Sequence, residues 1–265
     1  MTTQLTVSTI GQSPYTDALA PVPTLPESLR RTSGSADLVG IRGVAGWTGA
    51  AADAIRNGAR GVLVTAPSAE DTAELEALAA ERKVPVVLDS LWAGNPAVDA
   101  GADGFAALAD PAALLEGRVD LPAGSDTEQA ALDLLALVRR AVAPVTDLRF
   151  VWRDAAGFDA LASLETGSGA ALAVILSDAL LPGARLRIVR PKDAAEVTVP
   201  GPETAAAGRA VVSGPDGETL LETRYESAGR ASWRRLHGLV QSGESAEDLA
   251  GFAADVRVLR SALAS

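Results

Sequence analysis

Short apolar runs alternate with helix-length amphipathic segments over the first third of the chain. This alternation predicts β-α-β units and a parallel sheet, with glycine, serine and proline marking the loops. The predicted strands are residues 5–10, 37–41, 61–65 and 84–88, and the predicted helices between them are residues 48–57 and 70–82.

The pattern changes in the second half of the chain. Residues 103–108 are predicted to form one more strand, and Ser125 with Glu128 has the capping-box spacing that opens a helix reaching about residue 142. From residue 147 onward, short apolar strands follow one another with glycine, proline and aspartate turns, which predicts a mostly antiparallel sheet. Two amphipathic helices close the chain.

The predicted fold class is therefore α/β plus α+β. A truncated Rossmann-like parallel-sheet domain is expected over residues 1–122. A connecting helix, a mostly antiparallel open-sheet domain and the closing helices are expected over residues 123–265.

Composition and charge exclude several classes of function. The 265 residues include 23 basic and 34 acidic side chains, for a net charge of −11, so no basic excess is available to bind nucleic acid or an anionic membrane. The chain has no cysteine and one histidine, so no metal site is expected. A basic, apolar leader and a run of about 18 apolar residues are both lacking, so we expect a cytoplasmic protein.

Three segments resemble the Gfo/Idh/MocA family of sugar and inositol oxidoreductases. Residues 37–41 resemble the strand that precedes the family's dinucleotide turn, and residues 54–64 resemble its helix, glycine and strand segment. Residues 236–259 resemble its closing helix–glycine–helix module. The resemblance implies a Rossmann domain joined to an open antiparallel sheet that serves substrate binding and oligomerisation.

The family's cofactor fingerprint is not matched. Its G-x-G-x-x-G turn lets the backbone approach a pyrophosphate, whereas the first strand here runs into the segment 11–15 (GQSPY), which has one glycine. Few residues separate this segment from Asp37, so the family's second strand, with its ribose-binding acid, is expected to be missing. No cofactor is therefore expected, and NAD or NADP is the alternative.

The two chemical positions of the family fall on alanines. The place of its Glu-Lys-Pro lysine is Ala66, before Pro67, and the place of its acid–base histidine is Ala130, between Asp126 and Asp133. A methyl group cannot transfer a proton. The resemblance therefore implies a catalytically inactive binding or subunit protein, with an active oxidoreductase as its possible neighbour.

Two alternatives stay open. One is an NAD(P)-dependent oxidoreductase that acts on a sugar or polyol with an atypical site. The other is a different enzyme that uses Asp89, Asp126 or Asp133 as an acid–base carboxylate.

A candidate ligand pocket is expected where the parallel strands end, because ligands bind at the carboxyl ends of open α/β sheets. Arginine and tryptophan at such ends equally fold a loop onto the surface. Gly43, Gly46 and Gly49 are weak candidates for a phosphate cradle, or else belong to a plain loop, and His237 is interpreted as a structural residue of a helix. The pocket candidates are Arg42, Trp47, Thr65, Asp89, Trp92, Asn95 and Asp126.

An assembly through the antiparallel sheet is also expected. Residues 170–176 are apolar at nearly every position, so both faces of that strand are predicted to be buried. We expect a homodimer, or a heterodimer with a related oxidoreductase, whose interface includes Leu172 and Val174.

Overall fold

The computed structural model describes residues 4–10, 20–204 and 206–265. The strands are β1 (Leu5–Ile10), β2 (Leu29–Arg31), β3 (Leu38–Arg42), β4 (Gly61–Thr65), β5 (Val86–Asp89), β6 (Leu114–Leu121), β7 (Val145–Asp154), β8 (Gly157–Leu164), β9 (Gly169–Leu176), β10 (Gly183–Val189), β11 (Ala194–Pro200), β12 (Arg209–Gly214) and β13 (Gly217–Leu220). The α-helices are α1 (Trp47–Arg56), α2 (Ala73–Arg82), α3 (Pro96–Leu108), α4 (Thr127–Ala141), α5 (Ala228–Ser242) and α6 (Asp248–Ala264).

The chain forms two compact units, whose bounds differ from the predicted domains. The first comprises Met1–Gly94 and Ala228–Ala253, and the second comprises Asn95–Ser227 and Ala254–Ser265. Thus α3 and β6, which the sequence analysis assigned to the first domain, belong to the second unit, and α5 belongs to the first.

The first unit is built on a parallel five-stranded sheet in the order β2-β1-β3-β4-β5, which confirms the Rossmann-like half of the predicted fold class. The expectation that the second strand is missing was wrong. β2 has three residues and pairs in parallel with β1, with Leu29 opposite Leu5. So short a strand, following a proline-rich stretch, gives no readable alternation, which explains the error.

Helix α5 covers one face of this sheet. Trp233 and Leu236 of α5 are fully buried against Leu63 of β4 and Val87 of β5. A Cβ atom at Gly61 would lie 2.9 Å from the side chains of Leu236 and Val240, so the helix packs directly onto β4. Burial of this kind is the main source of stability in the unit.

The outer edge of the same sheet is closed by α6. The backbone N–H of Leu88 in β5 donates to Asp248 Oδ2 at 2.9 Å, and Arg235 of α5 donates to both carboxylate oxygens of Asp248. The Asp248 carboxylate therefore accepts a backbone N–H of the edge strand β5 and links α5 and α6 to that strand. This protects the edge from pairing with other chains.

The second unit is built on an eight-stranded sheet in the order β13-β12-β11-β10-β6-β9-β8-β7. Neighbouring strands are antiparallel except β6 and β9, so the predicted mostly antiparallel sheet is confirmed. The predicted strand over residues 103–108 was wrong, because these residues lie in α3. Asn95 caps α3 and Pro96 is its first residue, a start signal that outweighs the short apolar run.

Helices α3 and α4 cover one face of the second sheet. Leu172 and Val174 point to that face and are 2% and 0% exposed. A Cβ atom at Gly117 would meet both Leu172 and Leu134 of α4, which fixes the direction of these side chains. They are therefore core residues of this chain, and the assembly expected through this sheet stays a prediction.

The opposite face of this sheet carries charged side chains that pair across the strands. Arg185 lies 2.6 Å from Glu196, and Arg187 lies 3.9 Å from both Glu196 and Glu116. On β9 the same face presents Ala171, Ala173 and Ile175 instead. The face thus has a charged part and an apolar part, in which Leu114 and Leu161 are also exposed, rather than the continuous apolar surface that the sequence pattern suggested.

Candidate functional site

The carboxyl ends of three neighbouring strands bring several predicted pocket residues together. Arg42 of β3 lies opposite Thr65 of β4, and Thr65 lies opposite Asp89 of β5. This edge of a parallel sheet is where open α/β proteins bind ligands. The structure therefore places Arg42, Thr65 and Asp89 in one row at the candidate site.

The loops after β3 and β4 are locked together by their backbones. Gly43 N donates to Thr65 O at 2.8 Å, and Ser68 N donates to Gly43 O at 2.6 Å. A Cβ atom at Gly43 would lie 2.3 Å from Pro67 Cα and 2.5 Å from Ala66 O. Glycine is required at position 43 because another backbone passes directly over it.

The amino terminus of α1 is occupied by a carboxylate of the chain itself. Both Gly46 N and Thr48 N donate to the Glu70 carboxylate, and Thr48 Oγ1 donates to Glu70 Oε2 at 2.8 Å. An acid in this position satisfies the free amides of the helix and its dipole. The geometry argues against a phosphate at Gly43, Gly46 and Gly49, because Glu70 stands where that anion would bind.

Asp89 is the titratable side chain with the most unusual surroundings at this edge. Its Oδ1 accepts a hydrogen bond from Ser232 Oγ of α5 at 2.8 Å. Removal from water raises the pKa of Asp89 to about 6, and the bond from Ser232 opposes this only in part. The carboxyl group can therefore gain and lose a proton near neutral pH.

The two predicted pocket tryptophans belong to the core. Trp47 and Trp92 are 1% and 0% exposed. Trp47 Nε1 donates to Ser68 O at 2.9 Å, and its ring meets Phe252 edge-on at 5.8 Å. Trp92 Nε1 is buried and has no hydrogen-bond partner among the described residues. Both rings are therefore buried and do not line an open pocket.

The remaining pocket candidates lie in the second unit and cap helices. Asn95 Oδ1 accepts from Ala97 N at 3.0 Å, and Asp126 Oδ1 accepts from Glu128 N at 2.8 Å and from Gln129 N at 3.2 Å. Aspartate and asparagine are the preferred residues for this task. These contacts account for both side chains without a ligand.

Metal and membrane sites are not seen in the part of the chain that the structure describes. Its acids and its histidine form no group of three that could hold a metal ion. No helix among these residues is long and apolar enough to cross a bilayer.

No family model matches the sequence, and no curated protein matches it either. Solved structures do match over almost the whole chain. The 3-ketoreductase KijD10 from Actinomadura kijaniata, in complex with NADP and TDP-benzene, superposes with a TM-score of 0.74 at 15% identity, covering 99% of this chain and 98% of that one. The UDP-N-acetylglucosamine 3-dehydrogenase GnnA from Acidithiobacillus ferrooxidans gives 0.73 at 18% identity, with 99% and 96% covered.

A dehydrogenase, MviM from Clostridium difficile, gives a TM-score of 0.73 at 8% identity, with 99% of both chains covered. The chain has the Gfo/Idh/MocA fold. The resemblance drawn from sequence segments is thereby confirmed at the level of the fold, and coverage of both units supports it throughout.

Within the Gfo/Idh/MocA fold, Ala66 lies directly after β4 and Ala130 lies in α4. Ala66 has a φ of 47°, and its N–H donates to Asp89 O at 2.9 Å. A left-handed conformation is rare for alanine and is held here by the surrounding loops. Ala130 lies in α4 and is 1% exposed. Neither position supplies a proton-transfer group.

Strand β2 ends in a basic pair that the sequence analysis did not consider. β2 carries Arg30 and Arg31 at its carboxyl end, and both are exposed. Thr32 N then donates to Val7 O, which continues the pairing with β1. The signal available in the sequence was the basic pair followed by Thr32 and Ser33, and it was hidden by the brevity of the strand.

The glycine-poor segment 11–15 lies in residues 11–19, outside the described residues. His237 lies within α5 and is 8% exposed, away from the strand ends that form the candidate site.

Proposed function

We propose that the protein is an NADP-linked oxidoreductase that acts on a hydroxyl or ketone of a sugar or polyol through an atypical site. The observation that carries this proposal is the arginine pair at the end of β2. In Rossmann folds an acid at this place binds the free ribose of NAD, whereas arginine accommodates the additional phosphate of NADP. The NADP present in KijD10 supports the same choice.

The arrangement of strands fits a dinucleotide at this edge. The chain passes from β1 outward to β2 and then returns to β3 on the other side of β1, which creates a topological switch point. Ligands of doubly wound folds bind at such points. Arg30 and Arg31 would hold the adenosine phosphate, and a bound coenzyme would supply the hydride acceptor or donor.

The first prediction tests coenzyme binding directly. Calorimetric titration of the full chain is expected to give an affinity for NADPH at least about tenfold higher than for NADH, since charge-assisted contacts contribute about 1.5–3 kcal/mol. The double variant Arg30→Ala, Arg31→Ala should lose this preference and retain its weaker affinity for NADH. Arg56→Ala, which removes an exposed arginine of α1 paired with Asp53, is the matched control and should change neither value.

Absence of NADPH binding at millimolar concentration would contradict the proposed function. Equal affinities for the two coenzymes would contradict the role of the arginine pair.

A second candidate function has its own supporting observation. Ala66 and Ala130 occupy the family's two chemical positions, which favours a subunit that binds but does not catalyse. For this candidate we expect NADPH to bind without turnover, and a related oxidoreductase or a second copy of the chain to bind the open face of the second sheet. Steady-state assays with and without such a partner distinguish the two functions.

A further inference from the structure

Ala66, where the resemblance places the family's lysine, is hydrogen-bonded to a residue that carries a carboxylate. Asp89 is the last residue of β5, and its carbonyl oxygen receives the N–H of Ala66. Thr65, the residue before Ala66, lies directly opposite Asp89 in the sheet. A proton-transfer group on β5 would therefore reach the same edge of the sheet as one on β4.

Other side chains at this edge are unsuited to accept a proton. Arg42 is permanently charged, and Thr65 Oγ1 lies 3.4 Å from Ile41 O within the sheet. The carboxylate of Glu70 is held by the amides at the start of α1. Among the described residues that end β3, β4 and β5, Asp89 is the one carboxylate.

We propose that Asp89 is the catalytic acid–base residue of this chain, in place of the family's lysine and histidine. This inference rests on the proposed function. In the oxidising direction the Asp89 carboxylate would accept the proton of a substrate hydroxyl, and a bound oxidised coenzyme would accept the hydride from the carbon that bears it. The products are a ketone, the reduced coenzyme and a protonated Asp89, which then releases its proton to solvent.

The surroundings of Asp89 suit this task. Ser232 Oγ donates to one carboxylate oxygen, and the backbone of Gly229 lies close to the other, since a Cβ atom there would make a tight contact of 3.3 Å with Oδ2. Asp89 itself is half-buried. Burial and the Ser232 bond are the causes that set its pKa near 6, and no charged group of the described chain contributes. A group with this pKa is matched to proton transfer near neutral pH.

The simpler alternative is that Asp89 only ties β5 to α5 through Ser232. Two variants separate these roles. Asp89→Asn removes the titrating group but keeps an oxygen that accepts from Ser232, so the structural tie remains. Ser232→Ala removes the tie and keeps the carboxylate.

The experiment uses the full chain with NADP⁺ and three hydroxyl probes: UDP-N-acetylglucosamine, glucose and myo-inositol. Calorimetry first measures NADPH affinity, and thermal unfolding confirms that each variant is folded. Asp89→Asn is expected to bind NADPH as tightly as the wild type while kcat falls by about 100-fold or more. Ser232→Ala should remain active, with the acidic limb of its pH–rate profile moved to higher pH because a bond that lowers the pKa is lost.

Asp53→Asn, an exposed carboxylate on α1, should leave the rate and the pH profile unchanged. An unaltered kcat in Asp89→Asn would overturn the proposal, as would a wild type that binds NADPH and oxidises none of the three probes. Failure to bind NADPH would instead refute the proposed function on which this inference rests.

Discussion

At the scale of single residues, the second unit contains a buried carboxylate that makes stability depend on pH. Asp255 of α6 is 2% exposed, and Arg139 Nε lies 3.0 Å from its Oδ2. Burial raises the pKa of Asp255 from 3.8 to about 6, although Arg139 lowers it. The folded chain therefore binds this proton more tightly than the unfolded chain, so the contribution of Asp255 to stability is greatest below pH 4 and is lost as pH rises through 6.

The second prediction follows from the raised pKa of Asp255. Between pH 4 and pH 7 the contribution of Asp255 to the free energy of unfolding should fall by about 3 kcal/mol. Asp255→Asn mimics the protonated acid and should remove that part of the pH dependence in urea unfolding. Asp53→Asn, which alters an exposed ion pair, should not. An unchanged slope in Asp255→Asn would show that burial does not control this carboxyl group.

The sequence predicted the row of site residues better than it predicted their chemistry. Arg42, Thr65 and Asp89 were placed together because each ends a predicted parallel strand, a rule that needs only strand order. The contact of Glu70 with Gly46 joins residues 24 positions apart, and no local pattern indicates which acid reaches a helix terminus. The phosphate interpretation of the glycines did not take this contact into account.

At the scale of elements, α2 ends in a residue that is poorly suited to its backbone. Lys83 is the C-cap of α2 with a φ of 53°, in the left-handed region that favours glycine. Its N–H closes the helix by donating to Ala80 O.

The third prediction is that Lys83→Gly raises the free energy of unfolding by about 1 kcal/mol, because glycine adopts this conformation without steric cost. Lys83→Ala is the control that removes the same side chain without relieving the backbone, and it should be neutral or destabilising. Thermal and urea unfolding measure both variants. Equal stability of the two would contradict the argument from φ.

Elements with a strong periodic pattern were predicted correctly, whereas one very short strand and one glycine-containing helix were not. The helix from Thr127 was expected from a capping box on Ser125, but the side chain that caps it is Asp126, one residue later. β2 and α3 were missed for opposite reasons. β2 is too short to show alternation. In α3, glycines lie among apolar residues such as Phe105 and weaken the helical pattern of the sequence.

At the scale of the whole molecule, the open face of the second sheet is where we expect another chain to bind. Leu172 and Val174 lie on the covered face of that sheet. A charged side chain at either position should therefore unfold the unit rather than separate subunits. The open face combines cross-strand ion pairs with the small residues of β9. Such pairs contribute little individually and keep the face compatible with water, so assembly is not forced by burial alone.

The fourth prediction concerns a homodimer through this open face. Ala171 is exposed and lies opposite Glu116 of β6, so Ala171→Arg should gain an ion pair within its own chain and leave the unfolding temperature unchanged. The same long side chain would obstruct a second sheet packed face to face. Native mass spectrometry is therefore expected to show a dimer for the wild type and a monomer for Ala171→Arg, whereas Leu172→Arg should give unfolded protein. A monomeric wild type at high concentration would contradict the homodimer, and a dimeric Ala171→Arg would place the interface elsewhere.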